Sequence, residues 1–377
     1  MRAIVLLLFV AFAASAQPVS QSGFDRLAAK ASEALQSNPG RAAGLYKEAL
    51  EIRPAWAEGW FYLGASQYQL KLFREARVSF QRAGELAPDN GAVWGFLGLT
   101  EDSLGAHEPA LENIRRGEKV GLPDDRQFVC AVRLHAAKIY IARADFTAAV
   151  DQLRPLAQSG NREPEFIETL GRAVLEMPVF PSSNPRPGET QLLELAGRVA
   201  AAMYGQGPAD ARSDLEQLLT RYPNQPGVNY LAGLTLLQVE PSAALNHFQQ
   251  ELQIRPLHVP SLLQIAILKL RAGEFTVAAN LAATALKHQP ENPLAKLVMA
   301  RALMDLHRAP EAIPYLEQAS RSIPENRQVH YFLERAYRAS GRAADADKQK
   351  AEFLKLKAAA VDKSPAQLMD PSASLPE

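Results

Sequence analysis

The sequence predicts an all-α fold built as a stack of helical hairpins, and three observations carry this prediction. Proline recurs every 34 residues in two stretches of the chain, and alanine recurs with nearly the same period. Inside each period the apolar residues follow the three-to-four-residue spacing of an amphipathic helix. A period of this length holds two helices and their turns, so the repeating unit is a hairpin.

The prolines and alanines keep a common phase along the chain. Proline closes a unit because it lacks the N–H that a helix interior needs; it does so at Pro54, Pro88, Pro256, Pro290 and Pro324. The alanine ladder comprises Ala42, Ala76, Ala110, Ala211, Ala244, Ala278, Ala312 and Ala346. The common phase of the prolines and alanines indicates one repeating unit, and Gly64 and Gly98 are predicted to let two helices approach closely.

Within the unit 57–90, each half has its own helical stripe. The first is formed by Trp60, Leu63, Gly64 and Tyr68, and the second by Phe73, Ala76, Phe80, Ala83 and Leu86. Later units place a glycine where the first helix should end, at Gly105, Gly273 and Gly341. Glycine adopts positive φ without strain, so these three residues are predicted to end their helices.

Two interruptions divide the chain. The step from Ala110 to its best match, Ala149, is 39 residues, which predicts a longer loop around 122–127. Prolines at 178, 181, 185 and 187 predict a break over 176–190. We therefore expect an N-terminal array over 23–175, with a degenerate last unit, and a C-terminal array over 191–357 that ends in a charged capping helix. Residues 358–377 are predicted to be a disordered tail.

The first residues indicate export. Arg2 precedes an apolar run over 3–14, and Ala14-Ser15-Ala16 has the small-x-small pattern of a signal peptidase site. We predict a signal peptide over 1–16, a linker over 17–22, and a periplasmic or secreted mature protein. The chain contains no Asn-x-Ser/Thr sequon, which favours a bacterial source. The alternative is an uncleaved N-terminal membrane anchor.

Composition and motifs give no support for catalysis. Lysine plus arginine and aspartate plus glutamate number 41 each, so there is no basic footprint for nucleic acid. The single cysteine, Cys130, excludes an intramolecular disulfide and a cysteine-based metal site. His107-Glu108 begins like a zinc-binding motif but lacks the second histidine, and no phosphate-binding loop occurs. We predict no catalytic, cofactor-binding or metal-binding residue, and structural roles for the seven histidines.

The pattern resembles the tetratricopeptide repeat (TPR) family, whose unit carries the signature W-x2-L-G-x2-Y. Trp60, Leu63 and Gly64 match it, and Tyr68 lies one residue late. The resemblance covers about 23–357. It implies a right-handed superhelical solenoid whose first helices line a concave groove that commonly holds a partner protein.

On each first helix, the residues outside the stripe assigned to packing are predicted to line the groove. These are Phe61, Tyr68, Leu297, Arg301, Met304, Tyr331, Arg335 and Arg338. In the alternative interpretation Asp305 and Glu334 neutralise the arginines and the face is merely solvated. The ordered Lys, Asn, Lys, Arg set of the carboxylate-clamp members of the family is not matched.

The sequence therefore predicts a noncatalytic scaffold of the cell envelope that binds another protein, with no cofactor, nucleic acid or small-molecule substrate. One alternative is an enzyme or enzyme-accessory subunit with a site in the irregular region 120–190, since loops tend to carry function. The other is a membrane-tethered assembly factor that retains its N-terminal segment as an anchor.

Overall fold

A computed structural model describes residues 21–178 and 188–361, and within these residues every regular element is an α-helix. The chain divides into two compact units, 1–207 and 208–377. The helices of the first unit are α1 (Gln21–Ala34), α2 (Pro39–Ile52), α3 (Ala57–Gln69), α4 (Phe73–Leu86), α5 (Gly91–Ser103), α6 (His107–Val120), α7 (Arg126–Ala142), α8 (Phe146–Gln158), α9 (Pro164–Val174) and α10 (Glu189–Gly205). Those of the second are α11 (Arg212–Arg221), α12 (Val228–Leu236), α13 (Pro241–Ile254), α14 (Val259–Arg271), α15 (Phe275–His288), α16 (Pro293–Asp305), α17 (Ala309–Ser322), α18 (Arg327–Ala339) and α19 (Ala343–Val361).

The helices pair as hairpins, and consecutive hairpins pack on one another within each unit. The first unit contains the pairs α1/α2, α3/α4, α5/α6, α7/α8 and α9/α10. In the second unit α11 precedes the pairs α12/α13, α14/α15, α16/α17 and α18/α19. The predicted all-α solenoid of helical hairpins is confirmed. None of the described helices is both long and apolar enough to cross a bilayer.

The small residues of the repeat lie where the two helices of a hairpin meet. Every member of the alanine ladder is completely buried. A Cβ on Gly64 would lie 2.8 Å from the ring of Phe80, and one on Gly233 would lie 2.4 Å from the ring of Phe248. Each glycine thus makes room for a phenylalanine of the opposite helix, and this pairing of small with large fills the core.

A hydrogen bond ties the end of one hairpin to the first helix of the next. The indole Nε1 of Trp60 donates to the carbonyl oxygen of Pro54, and that of Trp94 donates to Pro88, both at 2.8 Å. Asn229 does the same toward Pro223 at 2.9 Å, and His330 Nε2 lies 2.8 Å from the Pro324 oxygen. The side chain in this contact is Trp, Asn or His in different hairpins, but the carbonyl oxygen always belongs to a proline.

The turn inside several hairpins contains one residue with positive φ. Gly105, Gly273 and Gly341 have φ of 75°, 77° and 74°, which confirms the prediction that they end their helices. Lys71, Ala144 and His307 also have positive φ, at 60°, 57° and 59°, between the two helices of their own hairpins. In these three turns an L side chain occupies a conformation that glycine adopts more easily.

The proline-rich segment does not separate two arrays. Helices α9 and α10, which flank it in sequence, pack closely against each other, and the division between compact units lies at 207/208 rather than within 176–190. A Cβ on Gly171 would lie 2.0 Å from the Leu193 carbonyl oxygen, and one on Gly197 would lie 1.9 Å from that of Ile167. The two glycines bring the helix backbones together, so α9 has a partner that the 34-residue period does not reveal. The predicted signal peptide, most of the linker and nearly all of the tail lie outside the described residues, as does 179–187.

Candidate interaction surface

Two of the predicted groove residues are core residues instead. Phe61 is 1% exposed, and its ring centroid lies 5.8 Å from that of Phe80 and 5.5 Å from that of Phe96. Leu297 is completely buried in the same core cluster as Val329 and Phe332. The expectation that Phe61 and Leu297 face solvent is wrong, because the first helix of the following hairpin covers this position.

Tyr68 and Met304 are half-buried. The ring of Tyr68 meets those of Phe73 and Phe96 edge-on, at centroid distances of 5.3 and 6.2 Å. Burial raises the pKa of the Tyr68 phenol, whose oxygen is hydrogen-bonded to Ser103. Met304 packs against the core of the second unit with part of its side chain accessible. Both side chains therefore lie on first helices with part of their surface accessible to solvent.

The remaining predicted residues form one surface on α16 and α18, which we call the arginine face: Arg301, Met304, Tyr331, Arg335 and Arg338. Arg301 and Arg335 are one 34-residue period apart, so they occupy the same position on successive first helices. Tyr331 is half-buried, with its ring 5.2 Å from that of Phe332 and 5.7 Å from that of Phe353. Cationic and aromatic groups thus lie side by side on this face.

Carboxylates neutralise part of the arginine face. Arg301 Nε lies 3.6 Å from Asp305, and Arg338 Nε donates to Glu334 at 2.7 Å. The neighbouring Asp347 lies 3.3 Å from Arg338. Arg335 is exposed, lies over the ring of Tyr331 at 5.6 Å, and forms no ion pair within the described residues. The neutralisation that the alternative interpretation expects is therefore present at two of the three arginines, Arg301 and Arg338.

The structure also contains a polar cluster that the sequence did not reveal: Asp102, His107 and His135, hereafter the Asp102 cluster. Nδ1 of His135 lies 2.6 Å from one carboxylate oxygen of Asp102, and Nδ1 of His107 lies 3.1 Å from the other. Burial opposes ionisation of Asp102, but the hydrogen bonds and charges of the two histidines outweigh it and lower the pKa of this carboxyl. Since an ionised carboxylate only accepts, both imidazoles donate from Nδ1. The cluster connects α5, α6 and α7.

The buried carboxylate of Glu251 has a structural role. Its side chain is 0% exposed, and it accepts hydrogen bonds from the backbone N–H groups of Gly227, at 3.0 Å, and Tyr230, at 3.3 Å. Arg255 Nε donates to it at 2.6 Å. These contacts hold the N-terminus of α12 against α13, where a negative charge is favourable.

The groups that could support chemistry are few within the described residues. These residues contain no group of three or more His, Cys, Asp or Glu side chains able to hold a metal ion. Cys130 is half-buried with the Asn161 amide 3.1 Å from its sulfur, and burial raises the pKa of its thiol. A raised pKa favours the thiol form over the reactive thiolate.

Stacked hairpins with a framework of small residues define the class of helical-repeat scaffolds, and sequence comparison identifies the type of repeat in two stretches of the chain. Tetratricopeptide repeat family models match residues 57–90 and 269–335. The chain therefore contains tetratricopeptide repeats in these two stretches, and such repeats are protein–protein interaction scaffolds. A search of the curated proteins gave no match.

Solved structures with a similar arrangement of helices share little sequence identity with this chain. MamA from Desulfovibrio magneticus RS-1 is 16% identical over 45% of this chain and 96% of its own, with a TM-score of 0.40. The TPR domain of P58(IPK) is 15% identical over 85% and 99%, with a TM-score of 0.29. The Cut9-Hcn1 structure of the APC/C is 13% identical over 89% and 66%, with a TM-score of 0.38. The repeats are thus identified by the family models and by the hairpins themselves.

Proposed function

We propose that the protein is a noncatalytic scaffold that binds a partner protein on the first helices of its second unit, and that the arginine face is the centre of that contact. The observation that carries the proposal is the composition of this face. Arg335, Tyr331 and Met304 remain accessible where the framework residues are buried. Arginine and tyrosine are enriched among the residues that dominate binding energy.

Rigidity supports the same proposal. The hairpin α18/α19 buries Val329, Phe332 and Leu333 in a core shared with α16 and α17. Tyr331 therefore lies on a helix fixed by packing, and less conformational entropy is lost when a partner orders its ring than on a mobile loop.

We further propose that the protein is exported to the periplasm or the medium after cleavage behind Ala16. The support is the apolar run over 3–14 followed by Ala14-Ser15-Ala16. Mass spectrometry of the protein isolated from the native cells tests this, and we expect the chain to begin at Gln17. A chain that retains residues 1–16 would favour the membrane-tethered alternative.

Site-specific photo-crosslinking in native cells tests the binding surface. A photo-reactive amino acid is introduced at position 335 and, in a matched control, at position 321, an exposed arginine on the second helix α17. We expect a discrete crosslinked protein from position 335 and none from position 321. Equal crosslinking at both positions, or none at either, would contradict binding at the arginine face.

A further inference from the structure

We infer that the arginine face recognises an acidic segment of its protein partner, one in which carboxylates alternate with apolar or aromatic residues. This inference rests on the proposed function and specifies the chemistry of the partner. In the second unit, positive charge is concentrated on the first helices of the hairpins.

The first helices of this unit, α12, α14, α16 and α18, carry a large excess of positive charge. They contain seven basic residues, Lys269, Arg271, Lys296, Arg301, Arg327, Arg335 and Arg338, and two acidic residues, Asp305 and Glu334. The second helices of the same hairpins carry six lysines and arginines and six aspartates and glutamates. Glutamates in the adjoining turns, Glu274 and Glu291, pair with Lys269 and Lys296. The near-zero net charge of the whole chain therefore conceals an excess of arginine on the first helices.

The character of the face changes along the array at equivalent positions. Leu263, Ile267 and Leu270 of α14 are all buried and apolar. One period later these positions hold Leu297, Arg301 and Met304, and one period further Tyr331, Arg335 and Arg338. The cationic groups thus accumulate on the last two hairpins, beside accessible apolar side chains.

Two of the three arginines lie near neighbouring rings. The guanidinium of Arg301 lies 5.7 Å from the centroid of Phe332, its side chain is 12% exposed, and Arg335 lies over Tyr331. A planar guanidinium presents its donors in a fixed fork, so it loses less rotamer entropy per hydrogen bond when it forms a bidentate pair with a carboxylate. The half-buried Tyr331 and Met304 would contact the apolar residues that alternate with the acidic ones.

A protein segment fits this face better than a nucleic acid. Asp305 and Glu334 lie beside Arg301 and Arg338 and would repel a continuous run of phosphates. A peptide can place its carboxylates opposite the arginines and uncharged side chains opposite the two acids. Complementary charge of this kind sets specificity more than it sets affinity.

Fluorescence anisotropy with defined probes tests the inference on the purified protein. The probe is a fluorescein-labelled 12-residue peptide that alternates Glu with Leu and Tyr, and its control has Gln in place of every Glu. We expect the Glu peptide to bind at least tenfold more tightly than the Gln peptide, and less tightly as salt is raised. Equal affinity of the two peptides, or no binding of the Glu peptide at millimolar concentration, would overturn the inference.

Two charge reversals locate the binding. Arg335→Glu should lower the affinity for the Glu peptide at least tenfold. Arg321→Glu makes the same charge change on the second helix α17 and should leave the affinity unchanged within twofold. Circular dichroism melting establishes that both variants fold. Equal loss in both variants, or tighter binding of a 12-nucleotide oligothymidine than of the Glu peptide, would refute recognition of an acidic segment. If position 335 gives a discrete crosslink but the Glu peptide does not bind, the scaffold proposal is supported and recognition of an acidic segment is refuted.

Discussion

Asp102 and His135 join two successive hairpins through a contact of 2.6 Å between residues 33 positions apart. Asp102 lies at the end of α5 and His135 in the middle of α7, and His107 at the start of α6 contacts the same carboxylate. A single carboxylate thus links three helices by charge-assisted hydrogen bonds, which are stronger than neutral ones. The stability of this region should therefore depend on the ionisation of Asp102.

Acidification should remove the stabilisation that the Asp102 carboxylate gives the fold. The folded pKa of Asp102 lies below its ordinary value of 3.8, so its ionised form stabilises the fold above that pH, and the stabilisation is lost as pH falls through the folded pKa. We expect Asp102→Asn to lower the free energy of unfolding by about 1–2 kcal/mol at pH 5, and the difference from the wild type to shrink below about pH 4. Urea denaturation from pH 5 to pH 2 measures this. The exposed Asp89→Asn is the control, and a difference for Asp102→Asn that stays constant with pH would disprove the linkage.

The second prediction concerns the crossing of α9 and α10. Gly197→Ala would place a methyl group 1.9 Å from the carbonyl oxygen of Ile167, which the helix backbone cannot relieve by a small shift. We expect the helices to separate at a cost of about 3 kcal/mol or more. Gly44→Ala on α2 is the matched control, because a Cβ there meets nothing within 4 Å. Gly44→Ala should stabilise by about 0.5–1 kcal/mol, and equal effects of the two substitutions in urea denaturation would contradict this account.

The third prediction concerns the turns with positive φ. Ala144→Gly should raise the free energy of unfolding by about 0.5–1 kcal/mol, since glycine relieves a left-handed conformation that costs an L residue about 1–2 kcal/mol. The reverse change, Gly105→Ala, introduces no clash and should destabilise through strain alone. Thermal melts of both variants check the two signs. A lower melting temperature for Ala144→Gly would show that these turns are not strained.

The fourth prediction concerns Glu251. Glu251→Gln should destabilise the second unit by about 2–4 kcal/mol, because it removes the buried charge that accepts from Arg255 Nε and weakens the hydrogen bonds to α12. Glu216→Gln is the control: its side chain is 72% exposed and lies 3.5 Å from Arg212, so we expect less than about 0.5 kcal/mol. Chemical denaturation followed by circular dichroism measures both. Similar losses would mean that burial does not decide the contribution of these carboxylates.

Periodicity predicted the framework and failed where the period breaks. Gly105, Gly273 and Gly341 end their helices at positive φ, as their spacing predicted. The alanines that revealed the period are completely buried, because packing at hairpin contacts imposes the same residue size at each repeat. The period does not predict that α10 is the partner of α9. Thirteen residues lie between Leu175 and Glu189, and a connection of this length does not fit a 34-residue unit.

The candidate site was predicted only in part. Tyr331, Arg335 and Arg338 retain accessible surface, but Phe61 and Leu297 do not, because a helical stripe in one hairpin does not show how far the next hairpin covers it. The sequence does not predict the Asp102 cluster, because the 39-residue step breaks the register between α5 and α7. Its signal in the sequence is weak: His107 follows Asp102 by five residues across a turn, and nothing marks His135 as the third member.

The glycine crossing of α9 and α10 has a practical consequence. The backbones of these helices approach closely at Gly171 and Gly197, so we expect the pairing to survive a break in the chain between 178 and 188. Two separately expressed chains, 1–178 and 188–377, should then assemble when mixed, and a reporter inserted between Pro178 and Gly188 should leave the hairpin formed. The protein would in this way supply a natural split point within a repeat array.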